Sequence, residues 1–286
     1  MIPAEFEYAA PTSLQEAARL LSENSGAKVL AGGMSLIPAL KHRLATPRLL
    51  VDIARIRGLG DVDLHRGRVR IGARATHDEV GSSVQLRGHP IFAQTAALIG
   101  DLQVRNRGTF GGSLAHADPA ADWPAVFLAL DGEVTLIGPK GTRSVRASDF
   151  FVGMLRTAIA PAEILSEVSL SVTSERSGAA YCKLRQPASG FAIVGVAAQV
   201  VLDARGRIER AALAATGVNA VPFRIASVES RLVGLAPTPD ELRRLCASAE
   251  EADPMEDMHV SAEYRGHLLG VYAFRAFSSA LALARA

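Results

Sequence analysis

The chain has 286 residues, 49% hydrophobic and 21% charged, with a formal net charge of +2. That is enough apolar material for two or three domains with cores of their own, and a charge balance too even to argue for nucleic acid or an anionic membrane as partner. Two cysteines, Cys182 and Cys246, are too few for an iron–sulfur cluster, which takes about four thiolates, and no CxxC or HExxH pattern marks a metal site.

The opening MIPAEFEYAAP has neither a basic n-region nor an apolar h-region, so a cytoplasmic location is the expectation. The longest apolar runs, such as 193–198, fall short of the roughly 18 residues of a membrane-spanning helix, and no transmembrane segment is expected. LQEAARLLSEN reads as a helix, with Thr12 and Gln15 or Ser13 and Glu16 as its capping box. After the short strand KVLA come Gly32, Gly33, Met34 and Ser35, then the helix LIPALKHRL. Strand, glycine pair, serine, helix is the layout of a phosphate-binding turn. Ser35 would be the N-cap and the helix start would offer free amides to a pyrophosphate. Neither GxGxxG nor GxxxxGK[ST] is present, and a tight strand–helix connection without a ligand explains this turn equally well by itself.

LLVDIARI is a predicted strand, 57–61 a linker, and DVDLHRGRVRIGA a hairpin turning at Arg66 and Gly67. Thr76 with Glu79 starts a helix, and another runs from Pro90 to about Ile99. The segment Arg105–Asp122, RNRGTFGGSLAHADPAAD, then stands out. It holds little that could fill a core, and reads as a long functional loop whose outward amides and hydroxyls wrap something polar. Asp122 is the predicted N-cap of the helix WPAVFLAL. EVTLI and TRSV around GPKG make a second hairpin, and ILSEVSLSV alternates as a strand. A polar break over Thr173–Gly178 puts a domain boundary near residue 175. Beyond it, YCKLR, FAIVGVAAQVVL and IERAALAATG read as three strands, followed by helices at about 223–233, 239–250 and 261–285.

No catalytic constellation assembles from these residues. GxSxG is absent, His116 is the one histidine inside the glycine-rich segment, and Asp118 and Asp122 have turn and cap roles open to them beside any ligand role. Two side-chain-poor turns without hydrolytic residues point to a long nucleotide, for which a dinucleotide fits.

Five segments resemble a known family: AGGMSLIPALKHRLATPRLLVDI (31–53), IGARATHDEV (71–80), QVRNRGTFGGSLAHADPAADWPA (103–125), EILSEVSL (163–170) and SAEYRGHL (261–268). By these the chain is identified as similar to the FAD-binding medium subunits of molybdenum hydroxylases, of the carbon monoxide dehydrogenase and xanthine dehydrogenase type. The resemblance implies an α+β fold. Residues 1–56 and 57–174 would be two α/β subdomains of the vanillyl-alcohol-oxidase-like (PCMH-type) FAD-binding fold. Residues 175–286 would be a C-terminal domain with a three-stranded antiparallel sheet and helices.

The resemblance also implies that Ala31, Gly32, Gly33, Met34, Ser35 and Leu36 hold the FAD pyrophosphate. Thr109, Gly112, Ser113 and Asp122 would make a second set of contacts, with Lys183 and Phe191 near the flavin ring. It implies a large molybdopterin subunit and a small subunit with two [2Fe–2S] clusters, assembled as a dimer of heterotrimers. Electrons would pass from the clusters through FAD to an external acceptor, and this chain would carry no catalytic or metal-ligating residue. Ser113 stands where many relatives have Asn. In RQPASGF (185–191), Gln186 and Gly190 depart from the family's usual Arg and Asp, which leaves Phe191 free to stack on a ring or to belong to the core. A self-sufficient flavoenzyme of the same fold and a non-catalytic nucleotide-binding module are the alternatives.

Overall fold

A computed structural model describes residues 2–172 and 175–286; Thr173 and Ser174, which open the predicted break, lie outside the described residues. β1 (Glu7–Ala9) and β2 (Lys28–Leu30) flank β3 (Leu49–Asp52) in a small parallel sheet. The first three residues of β3 are buried without alternation, as the centre of a covered parallel sheet requires. α1 (Leu14–Glu23) lays Ala17 and Ala18 on it, capped by Ser13, whose Oγ accepts the Glu16 N–H at 3.2 Å. α2 (Leu36–Lys41) stops short of its predicted end, and Arg43 just beyond it turns left-handed at φ 56°.

β4 (Val62–His65) and β5 (Arg68–Gly72) form the predicted hairpin. Its turn residues Arg66 and Gly67 are both at positive φ, which a two-residue hairpin turn of the I′ type demands. Next come α3 (His77–Ser82), opened by the Thr76–Glu79 capping box, α4 (Ile91–Leu98), α5 (Leu102–Arg105), α6 (Phe110–His116) and α7 (Trp123–Ala129). The hairpin of β6 (Glu133–Gly138) and β7 (Gly141–Arg146) follows, then α8 (Ala147–Phe150), the ribbon of β8 (Phe151–Gly153) and β9 (Arg156–Thr157), and β10 (Ile164–Ser171). Five of these strands pair antiparallel in the order β4-β5-β10-β6-β7.

The glycine-rich segment corrects the expectation of a structureless loop, because α6 occupies its centre. Thr109 Oγ1 accepts the Gly112 N–H at 3.1 Å as the cap, and Phe110 and Leu114 are fully buried. Phe110 packs on Trp123 with ring centroids 4.6 Å apart. That anchoring outweighs the poor helix propensity of Gly111 and Gly112.

The last part of the chain corrects the expected three-stranded sheet. β11 (Ser177–Arg185), β12 (Ala192–Leu202), β13 (Ile208–Thr216) and β14 (Phe223–Arg224) make four antiparallel strands. β14 occupies the predicted start of a helix; two residues are too few to show an alternation in sequence. α9 (Ala226–Leu232), α10 (Pro239–Cys246) and α11 (Ala262–Arg285) complete the chain. α11 is long and apolar enough to cross a membrane by length and composition alone, a test that the buried core helix of a soluble protein also passes. In this fold its apolar face lies on β11 and β12, where Gly178 lets the helix close in: a β-carbon there would stand 2.1 Å from the Ala280 carbonyl oxygen.

The four-stranded sheet is covered on both faces, which is why β12 reads as a nearly continuous apolar run. Val194, Val196, Ala198 and Val200 point to the α11 side, and Ala197 with Ala214 to the side of α7. α7 is buried along its whole length, as a helix apolar all round must be. It forms the wall shared by the first two-thirds of the chain and the last third, and Asp122 stands at its beginning.

Candidate functional site

A cleft of ≈ 1400 Å³ runs between the two glycine-rich turns. It is bounded by the end of α1 and the following turn, the segment 31–36, parts of 99–122, the β6–β7 turn, the stretch 155–165 and the β11–β12 loop at 189–191.

The first turn is shaped by its glycines. A β-carbon on Gly32 would stand 2.0 Å from the Arg107 carbonyl oxygen and 2.9 Å from the Gly108 Cα, so the two turns meet backbone to backbone. Gly33 has φ +77°, and a β-carbon there would meet Ile37 Cγ1 at 2.9 Å. Ser35 sits at the N-cap position but in a helical conformation (φ −106°, ψ −43°), and makes no side-chain capping bond. This corrects its predicted capping role. Ala31, Gly32, Gly33, Met34, Ser35 and Leu36 all line the cleft.

Across from them, Thr109, Gly112 and Ser113 line the same cleft from the start of α6. His116 and Asp118 also reach it, His116 from an exposed position. Asp118 Oδ1 accepts the Ala120 N–H at 2.9 Å, forming the turn that its residue type favours.

Behind this wall lies a histidine that the sequence reading passed over. His77 is 5% exposed, and its Nδ1 accepts the Trp123 Nε1–H at 2.9 Å. Burial, helped by the nearby Arg105 cation, lowers its pKa to about 4. His77 lines the cleft beside Gly108, on which a β-carbon would stand 2.6 Å from His77 Nε2. The available signal was its place directly after the Thr76 cap, at the first position of the helix.

Asp122 also departs from its predicted capping role: it makes no capping bond to α7. Its carboxylate is buried and turned toward the C-terminal sheet. Lys183 Nζ donates to Oδ1 at 2.8 Å and Oδ2 at 2.9 Å, and the Tyr181 hydroxyl donates to Oδ1 at 2.6 Å. Lys183 Nζ also donates to the Leu98 carbonyl at 2.8 Å, and its side chain is completely buried. Burial pushes the Asp122 carboxyl upward, and the two donors pull it back. Tyr181 is held well above its ordinary value, first by burial and then by Asp122, so it stays a donor. The two-residue period of β11 puts Tyr181 and Lys183 on one face. Gly195 on β12 leaves room for the phenol, since a β-carbon there would stand 2.2 Å from the Tyr181 hydroxyl. Asp122 reaches the cleft; Lys183 is not among the residues lining it.

Phe191 does line the cleft, 46% exposed, at the end of the β11–β12 loop. Gln186 folds back into that loop, its Oε1 accepting the Ser189 N–H at 2.6 Å, and does not reach the cleft. The loop's left-handed corner is Gly190, at φ +75°.

The far end of the second segment is pinned by the C-terminal sheet. Gly217 N–H donates to the Pro119 carbonyl at 2.7 Å, and Ala192 N–H to Ala120 at 3.1 Å. The Thr216 hydroxyl lies 2.8 Å and 2.7 Å from the Pro119 and Ala121 carbonyls.

Comparison with known proteins matches nearly the whole chain. Residues 4–171 match the family described as FAD binding domain in molybdopterin dehydrogenase, and residues 179–280 match the CO dehydrogenase flavoprotein C-terminal domain. The chain is 38% identical to the carbon monoxide dehydrogenase medium chain of Afipia carboxidovorans, covering 100% of both chains. It is 35% identical to the 6-hydroxypseudooxynicotine dehydrogenase complex subunit alpha of Paenarthrobacter nicotinovorans, covering 100% of this chain and 97% of that one. Among solved structures, it superposes with a TM-score of 0.95 and 36% identity on a chain of the carbon monoxide dehydrogenase of Hydrogenophaga pseudoflava, covering 99% of each.

Proposed function

Since the chain belongs to the FAD-binding medium subunits of the molybdenum hydroxylases, we propose that its cleft holds one FAD, which relays electrons from a partner subunit to an external acceptor. It is thus a subunit of a molybdenum-containing dehydrogenase, and in this reading it contributes a cofactor site, with no substrate pocket of its own. Bound FAD supplies the redox chemistry, and the protein supplies binding, orientation and electrostatics.

The residues present fit that group. The segment 31–36 offers backbone amides, and glycines in both turns remove side-chain bulk, while the amides of 110–113 are engaged within the protein. Such concavities take the oxygens of a diphosphate. Thr109 and Ser113 add hydroxyls for the ribityl and phosphate stretch. Asp122 supplies a carboxylate held by Lys183 and Tyr181, so Lys183 acts through Asp122. Phe191 offers an aromatic face to the ring. The observation that carries the reading is the contact of Gly32 with Arg107 and Gly108, which joins two distant glycine-rich turns into one wall.

The partners in this reading are a large subunit with molybdopterin and a small subunit with two [2Fe–2S] clusters, assembled as a dimer of heterotrimers in the cytoplasm. The test is purification of the native complex. The expected result is a flavin and iron–sulfur spectrum, FAD released on denaturation in a one-to-one ratio with this chain, and co-purification of both partners. A complex without FAD overturns the cofactor assignment. A partner-free chain that oxidises a substrate on its own overturns the electron-transfer role.

A further inference from the structure

We propose that His77 is a cofactor-binding residue, whose Nε2–H donates a hydrogen bond to an oxygen on the ribityl–diphosphate stretch of the FAD. The proposal rests on the reading of the cleft as the FAD site.

The argument begins with Trp123. An indole nitrogen can only donate. Its bond to His77 Nδ1 therefore places a lone pair on Nδ1 and, in the neutral ring, the proton on Nε2. The tautomer is set by chemistry and held by packing, because Trp123 is fully buried and stacked on Phe110. One ring nitrogen is thus accounted for inside the protein.

The other is not. Nε2 makes no hydrogen bond among the described residues and opens to the cleft, although the residue as a whole is more than nine-tenths buried. A donor at the wall of a cleft is free to pair with whatever polar group the cleft holds. The side chain lies at the cleft wall, between the two turns that meet at Gly32 and Gly108. Gly108 leaves the space over Nε2 open: a β-carbon there would stand 2.6 Å from that atom and 3.0 Å from the Val104 carbonyl oxygen. The backbone reinforces the placement, since His77 N–H donates to the Gly108 carbonyl at 2.9 Å. Glycine at 108 thus keeps this donor open to the part of the cleft where the two turns meet. Burial and Arg105 keep the ring neutral at ordinary pH, so the group offered is an N–H dipole and not a cation.

The test uses the assembled complex, stripped of flavin and titrated with FAD by fluorescence quenching. His77→Phe removes the donor and keeps a planar ring; His77→Gln keeps an amide donor and an acceptor for Trp123. The expected result is about tenfold weaker FAD binding for His77→Phe, in line with loss of one hydrogen bond, and recovery to within about threefold for His77→Gln. Equal affinity of His77→Phe and wild type overturns the proposal. Should His77→Phe fail to fold, the FAD-loaded wild-type structure decides. Nε2 within about 3.2 Å of a ribityl or phosphate oxygen supports the bond, and a separation beyond about 4 Å overturns it. A wild-type complex that takes up no FAD refutes the cofactor reading itself, whereas normal uptake with an indifferent His77 refutes only this inference.

Discussion

Lys183 donates to both carboxylate oxygens of Asp122 across the seam between the C-terminal sheet and α7. The carboxylate would be intolerable there without its cation, and the cation without its carboxylate. Lys183→Met is therefore expected to destabilise the protein by about 3–5 kcal/mol, the usual result of stranding one buried charge. The double variant Lys183→Met/Asp122→Asn should recover most of that loss. Urea unfolding of the two variants is the measurement. A loss below about 1 kcal/mol for Lys183→Met would mean that this pair does not hold the seam. A simple helix cap at Asp122 would involve only about 0.5–2 kcal/mol.

Gly32→Ala puts a methyl group 2.0 Å from the Arg107 carbonyl oxygen, where the obstacle is backbone and cannot swing away. The two turns must separate. The purified complex should then retain less than about a tenth of its FAD, for a loss above about 1.4 kcal/mol. The ratio of flavin absorbance to protein absorbance reads this directly. A fully yellow Gly32→Ala complex would show that the contact between the turns is irrelevant to the cofactor.

Phe191 is 46% exposed and projects into the cleft, so it contributes little to folding. Phe191→Ala is expected to change stability by less than about 0.5 kcal/mol. It should weaken FAD binding about fivefold, corresponding to a stacking contact of about 1 kcal/mol. An unfolding curve and an FAD titration separate the two effects. Loss of stability with unchanged affinity would make Phe191 a packing residue.

His77 carries a pH dependence whose sign follows from its burial. Its folded pKa is about 4, against an ordinary 6.5. Between those values the unfolded chain binds a proton that the folded chain refuses, so acid favours unfolding. The stability present above pH 6.5 should fall as pH drops through this window, by about 3 kcal/mol in total. His77→Gln lacks the titration and should lose correspondingly less between pH 7 and pH 4. Identical losses on acidification in denaturant titrations of both proteins would dismiss His77 as the source.

The turns and caps of this fold were legible in the sequence because their signals are local. Arg66–Gly67, the Thr76–Glu79 box and the Gly32–Gly33 pair each declare their backbone within a few residues. The cleft lining at 31–36 and 109–113 followed from the same glycines. The polar core of the site was not legible, since its partners are brought together only by folding. Tyr181 meets Asp122 over a separation of 59 residues, and Trp123 meets His77 over 46. Asp122 and Ser35 misled for a related reason: both stand where a helix begins, but neither side chain caps it. The trace that could have been read is Tyr181 and Lys183, two polar residues on one face in the middle of a strand, with the small Gly195 opposite Lys183.

The contacts of Thr216, Gly217 and Ala192 with Pro119, Ala120 and Ala121 make the second glycine-rich segment a joint product of the first two-thirds of the chain and the last third. Recombination between relatives therefore has a natural unit. A chimera spliced near residue 175 keeps its half-sites matched only where the incoming piece brings a donor at each of these positions and a lysine facing the aspartate. Lineages that exchanged one piece without the other would be under immediate selection to repair the joint, and compensating changes should accumulate along it first.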